Sequence, residues 1–274
     1  VVLQACGAVQ MGYQALPEVS YWWLDNYLAF TAEQKDQVKD ELAALQRWHR
    51  KTELPQIADL LDQASLLAVK DVTPEQMCGL AASVRQRLHA VGTQAEPPAA
   101  ALALALKPEQ LQALRKRYDK NNNEYRKEWI EVSAEKRDAK RYKKIAGYAD
   151  DLYGKLSDAQ RAAIHKYVDS GGFDPVFDNK LRLQQQKDVL ATLEKLQATP
   201  NASPADARKA IAGLIDRGFD SPDPAVHQHQ EAVRRAGCEA MAEVQNSASD
   251  TQRAHAVKEL QKYRSDAAQL AAKS

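Results

Sequence analysis

VTPEQM, residues 72–77, is a helix start spelled out in side chains. Thr73 can accept from the amide of the third helical residue, and Gln76 can reach back to the amide of Thr73. Pro74 fits the first helical position, where no amide donor is missed. Val72 and Met77 have the spacing of a hydrophobic staple. The same grammar returns in FTAEQ (30–34), LKPEQ (106–110, with Leu106 and Leu111 as the staple pair) and LSDAQ (156–160). Lys107 departs from it, because an ammonium cannot accept a hydrogen bond. The intervals between these signals are irregular, so they point to separate long helices and not to a solenoid of equal repeats.

Composition agrees with that reading. The 274 residues include only 11 glycines, the aliphatic content is mostly Ala and Leu, and no stretch alternates as a strand would. The expected fold is all-α: an extended bundle of long antiparallel helices with short capped loops. Helices are expected over 17–29, 32–69, 74–91, 108–154, 158–169, 175–198, 204–217, 224–246 and 250–272. Pro55 should kink or end the second near Leu54. TQAEPPAA (93–100) reads as a linker and SGGFDP (170–175) as a turn, so a single helical domain over 17–274 has candidate sub-boundaries at 93–105 or 170–175.

Residues 115–144 carry 12 Lys or Arg against 6 Asp or Glu, a local charge of +6 in a chain whose total is +1. Tyr118, Tyr125, Trp129 and Val132 recur there at spacings of seven, four and three, which places them on one helical stripe. The stripe is either core-facing beneath a solvated basic face, or an exposed surface for anionic lipid or an acidic or unfolded partner. The near-neutral whole argues against general nucleic-acid binding.

No GxSxG elbow, phosphate-binding loop or HExxH pair occurs, so no catalytic, cofactor or metal residue is assigned. His227 and His229 lie two apart, on different helical faces, unlike a helical metal pair. No cofactor and no small-molecule substrate are expected.

Leu3-Gln4-Ala5-Cys6 resembles a bacterial lipobox, in which the cysteine carries a diacylglycerol. The resemblance implies that residues 1–5 are a signal-peptide remnant, that Cys6 is the lipid attachment site, and that 6–16 is a tether. Gly7, where Asp would favour inner-membrane retention, implies the periplasmic side of the outer membrane. An oxidising compartment leaves Cys78 and Cys238 as an even pair, either bridged or two buried thiols.

Trp22-Trp23-Leu24-Asp25-x-Tyr27, followed by Trp48-His49-Arg50-x-Thr52-Glu53-Leu54-Pro55, resembles a family of uncharacterised proteobacterial lipoproteins. That resemblance implies an exported, lipid-anchored helical protein and supplies no activity. FTAEQ, VTPEQ and LSDAQ also resemble the repeated LTxxQ motif of small periplasmic stress chaperones. Three roles stay open for the tryptophans: core packing, with Trp48 a natural partner; the bilayer interface, reachable because the chain from Cys6 to Trp22 can extend about 50 Å; or a client-binding groove.

The expected function is non-enzymatic protein binding by an anchored lipoprotein, as a chaperone or envelope assembly factor. The alternatives are a scaffold for one dedicated envelope partner, and an enzyme whose site assembles only in space. Candidate partner-binding residues are Trp22, Trp23, Tyr27, Trp48, His49, Arg50, Glu53, Tyr118, Tyr125 and Trp129.

Overall fold

The computed structural model describes residues 3–170 and 172–273, without the side chains of residues 3–8. The Cys6 thiol, residues 1 and 2 of the remnant at 1–5 and the side chains of the other three therefore lie outside what is described. Among the described residues there are eleven α-helices and no strand: α1 Leu3–Leu28, α2 Ala32–Trp48, α3 Leu54–Ala68, α4 Pro74–Ala105, α5 Pro108–Tyr125, α6 Ala134–Tyr153, α7 Asp158–Ser170, α8 Pro175–Ala198, α9 Pro204–Phe219, α10 Pro224–Asn246 and α11 Asp250–Ala272. Single π-turns, His49–Glu53 and Arg126–Ile130, follow α2 and α5.

The helix starts form as their sequences require. Thr31 and Thr73 accept from the amides of Gln34 and Gln76, whose side chains return the bond. At α5 only half the exchange exists: Gln110 accepts from the Lys107 amide at 3.0 Å. Ser133, Asp174, Ser203 and Asp223 cap α6, α8, α9 and α10.

The capping glutamines also do something that no local pattern announces. Gln34 and Gln110 are buried against each other, and Gln34 Nε2 donates to the Ala105 carbonyl at 3.0 Å while Gln110 Nε2 donates to the Leu28 carbonyl at 2.9 Å. One amide pair thus satisfies the starts of α2 and α5 and the ends of α1 and α4. A second pair repeats the device: Gln252 Nε2 donates to Gln160 Oε1 at 2.8 Å and to the Lys155 carbonyl at 3.0 Å, while Gln160 Nε2 donates to the Val244 carbonyl at 3.3 Å. Buried helix termini must find partners for their orphan groups, and each glutamine supplies an acceptor and a donor at once.

Three small cores lie along the assembly. Ala100, Ala103, Leu106, Leu111, Leu114, Leu193, Leu196, Ala207 and Ile211 join α4, α5, α8 and α9. Ala146, Leu156, Ala163, Ile164, Val168 and Val244 join α6, α7 and the end of α10. Tyr13, Leu54, Ala58, Ala267 and Leu270 join α1, α3 and α11. The accessible surface is 16231 Å², against about 12,000 Å² for a compact monomer of this length. The excess belongs to an open arrangement in which several helices keep a face uncovered.

Three expectations require correction. The linker at 93–100 is helical: α4 runs through Pro97 and Pro98 because the face bearing Ala100 and Ala103 docks on Ala207 and Ile211 of α9, and buried Glu96 holds Arg208 at 3.0 Å. Tertiary burial there outweighs two missing amide donors. The helix expected over 108–154 is broken at Glu131–Ser133, where a π-turn ends α5 and Ser133 restarts the chain as α6. The stretch 32–69 is divided where Pro55 led one to expect, by the π-turn at 49–53 with α3 starting at Leu54. The first helix, expected over 17–29, starts earlier, so that the segment 6–16 read as a tether belongs to α1, and Tyr13 within it is buried. Helices from both sides of 93–105 and of 170–175 pack together, α3 on α11 and α4 on α9 and α10 among them.

Candidate binding groove

Pro55 has no amide to give, so an α-helical ladder cannot run unbroken past it. The register changes just before, where the Leu54 amide reaches five residues back to the His49 carbonyl. This π-turn sets His49 and Glu53 at the start of a trough between α3 and α4. The walls are two apolar stripes: Ile57, Leu60, Leu61 and Ala64 from α3, and Leu80, Val84, Leu88 and Val91 from α4. Residues 80–91 give it a length of about 16 Å. Its volume is about 380 Å³, and it is open along its side, with Leu88 58% and Val84 47% exposed. α4 packs its opposite face on α9 and α10, so this second stripe faces a neighbour that only partly covers it.

The head of the groove is polar. Glu53 is 2% exposed, and its Oε2 lies 3.6 Å from Arg87 Nη1, which is too far for a hydrogen bond; that oxygen accepts nothing. His49 Nδ1 is 3.0 Å from the Tyr13 hydroxyl. Burial pushes the His49 imidazole below its ordinary value, and the nearby Glu53 charge offsets this only in part, so the ring is neutral at pH 7. Arg50 lies over the Tyr13 ring and donates to the Lys273 carbonyl at 2.6 Å, tying the π-turn to the end of α11. Tyr13 and Arg87 were not among the sequence candidates: Glu53 and Arg87 are 34 positions apart, and nothing local links them.

The ten candidate partner-binding residues do not form one surface. His49, Arg50 and Glu53 meet at the groove head, with Trp48 half-buried just before them. Trp22 and Trp23 are each 58% exposed, so the core role falls instead to Tyr21, which is buried beside Phe30. Val9, Met11, Leu16 and Val19 extend the exposed apolar face of α1. Tyr27 packs between Trp23, whose ring is tilted against it, and Tyr118, which meets it edge-on, and Asn121 Nδ2 donates to its hydroxyl at 2.7 Å. Tyr125 donates to the Pro175 carbonyl beneath the Arg182 guanidinium, and Trp129 packs edge-on against Phe173 under Lys140. Tyr118, Tyr125 and Trp129 of the expected stripe therefore pack against their neighbours. Part of the basic charge around it is paired internally, Arg115 with Glu194 and Lys140 with Glu128.

Cys78 of α4 and Cys238 of α10 form a disulfide with their Cα atoms 5.3 Å apart. It borders a wider, charged groove of about 1120 Å³, where His89 pairs with Asp216 and Arg234 with Glu231. Among the described residues no helix is long and apolar enough to cross a membrane, and no three His, Cys, Asp or Glu side chains gather as a metal site.

Comparison with curated proteins and with solved structures returns no match. A family model does match, over residues 26–208, which contains the π-turn, both walls of the trough and Arg87 but stops short of Cys238. That is about two thirds of the chain, and the protein accordingly belongs to DUF6279, a family of unknown function.

Proposed function

We propose that this protein is a lipid-anchored lipoprotein on the periplasmic side of the bacterial outer membrane, with a non-enzymatic role in binding other proteins as a chaperone or assembly factor. The observation that carries the reading is the open apolar trough between α3 and α4. Half-exposed Val84 and Leu88 sit there in line with Leu80 and Val91, an arrangement suited to the apolar face of another polypeptide. The exposed α1 face with Trp22 and Trp23 offers a second apolar contact. An enzymatic alternative draws on the meeting of His49, Glu53 and Arg87, but the groove lining contains no Ser, Thr, Cys or Lys to act as nucleophile.

Photo-crosslinking in cells from single probes at Leu88 and Trp23, with Tyr125 as an internally packed comparison, tests the reading. Capture of many unrelated envelope proteins supports a chaperone, and one reproducible partner supports a scaffold. No protein captured at Leu88 or Trp23 removes the protein-binding reading. In the same cells Cys6→Ser is expected to shift the protein from membrane to soluble fractions; unchanged fractionation would refute the lipid anchor.

A further inference from the structure

We infer that α1 lies along the bilayer surface with its exposed apolar face set into the headgroup boundary, so that the anchored protein is held flat by a helix and does not hang on a tether. The inference rests on the lipid anchor of the proposed function and leaves the α3–α4 trough to protein. At about 100° per residue, Val9, Met11, Leu16, Val19, Trp22 and Trp23 fall within an arc of about 160° on α1. All six are exposed. Gly12 and Ala15, exposed as well, fill the same arc, and Asn26 at its far end turns its amide back to the Trp22 carbonyl at 2.8 Å. Buried Tyr13 and Tyr21 mark the other side of the helix, which packs on α2, α5 and α11. The two charges of α1 stay off the arc: Glu18, at its edge, pairs with Lys39 at 2.9 Å, and Asp25 accepts from the Phe30 amide at 2.8 Å.

A contiguous exposed face of this kind marks a contact with something apolar, and chain continuity selects the bilayer. Cys6 precedes Val9 by three residues of unbroken helix, about 5 Å of rise. Diacylglycerol on Cys6 therefore holds the start of the arc at the membrane, with no loop to swing it away. From Val9 to Trp23 the arc runs about 21 Å along the helix. An interfacial helix sets such a face about 5–10 Å into the boundary between headgroups and acyl chains. Trp22 and Trp23 close the arc at the end away from the lipid, and an indole suits that depth because its ring is apolar while its N–H stays wet. A protein partner needs polar groups to fix its register, and the arc presents only Asn26, whose amide is already engaged.

Nitroxide labels on Ala15→Cys and Gln14→Cys test this. Both positions are exposed, but Ala15 lies about 40° and Gln14 about 140° round the helix from Val9's neighbour on the arc, Val19. The lipidated protein, its Cys78–Cys238 bond intact, is taken from membranes and reconstituted in vesicles of phosphatidylethanolamine with a minority of phosphatidylglycerol, and mass spectrometry of the Cys6 peptide reads the lipid. Electron paramagnetic resonance then measures collisions of each label with oxygen, which concentrates in lipid, and with a water-soluble nickel complex. At Ala15 the oxygen-to-nickel ratio is expected to rise severalfold over that of the soluble Cys6→Ser form, and at Gln14 to stay unchanged. Ala15 as wet as Gln14 on the lipidated protein would overturn the inference while the anchor stands. Absence of lipid on Cys6 would overturn both, since nothing then brings α1 to the surface. Loss of both kinds of collision at Ala15, or spin–spin broadening there, would overturn it in favour of a protein cover, another chain or a second copy. Should either cysteine disturb folding, lipids brominated on the acyl chain decide the matter: they are expected to quench the tryptophan emission of the wild type and to lose that effect when Trp22→Phe and Trp23→Phe are combined. Equal quenching of the two proteins would overturn the inference.

Discussion

Replacing both Cys78 and Cys238 with Ala should lower the unfolding free energy by several kcal/mol while leaving the helices in place. The magnitude follows from the 160-residue separation of the two cysteines. A cross-link closing a loop of that length removes about 17 cal/mol/K of denatured-chain entropy, or about 5 kcal/mol at 25 °C. Whole domains are stable by about 5–15 kcal/mol, so the bond is a large share of the total. The native contact should survive its loss, because α10 keeps its Asp223 cap and the end of α10 is held by Gln245, which donates to the carbonyls of Ala68 and Lys70. Urea unfolding followed by far-UV circular dichroism is the assay. The expected result is an unchanged native spectrum, a lower midpoint and a steeper slope, since the uncrosslinked denatured chain exposes more surface. A loss below about 1 kcal/mol would refute the loop-entropy reasoning for this protein. Acid trapping and alkylation of the wild type in cells adds a second reading: an oxidised pair fits the proposed periplasmic address, and free thiols would count against it.

Gln110→Leu should destabilise by about 2–4 kcal/mol, because it orphans the Lys107 amide and withdraws donors from the Leu28 carbonyl and from Gln34; thermal unfolding measures this, and a change within error would show that the amide pair is incidental. Stability should also fall on acidification through His49. Its folded value lies below the ordinary one near 6.5, so the folded state holds fewer protons between the two values: the contribution is complete above about pH 6.5 and is lost as pH drops through that window. His49→Gln should flatten that part of the stability–pH curve, which urea titrations between pH 4 and 8 would reveal.

The helix starts that could be read from sequence were those with a local chemical cause. Asp174-Pro175, Ser203-Pro204, Asp223-Pro224 and Ser249 with Gln252 place the starts of α8 to α11 where the structure has them. Pro97 and Pro98 misled because the burial of Ala100 and Ala103 against α9 is a long-range fact, invisible in the eight residues that spell a linker. Trp22 and Trp23 left their role open for a related reason: nothing within α1 tells which of its faces a neighbour covers, and the structure leaves both tryptophans exposed. The candidate site was half legible. His49, Arg50 and Glu53 stood out as a dense polar motif, whereas the trough below them and its Arg87 arise from two helices that meet only after folding.

The π-turn at 49–53 amounts to one residue more than the helix needs, and one residue is about 100° of rotation. Everything after it is therefore aimed by that single insertion. Removing one position between Trp48 and Glu53 would swing the Ile57–Ala64 stripe away from α4 and bring a different side of α3 to the neighbours that Leu54 and Ala58 now meet. Among chains of this family, the number of residues between the Trp48 and Pro55 equivalents should thus vary less than the identities of those residues. A member one residue shorter there would share the sequence neighbourhood while lacking the trough.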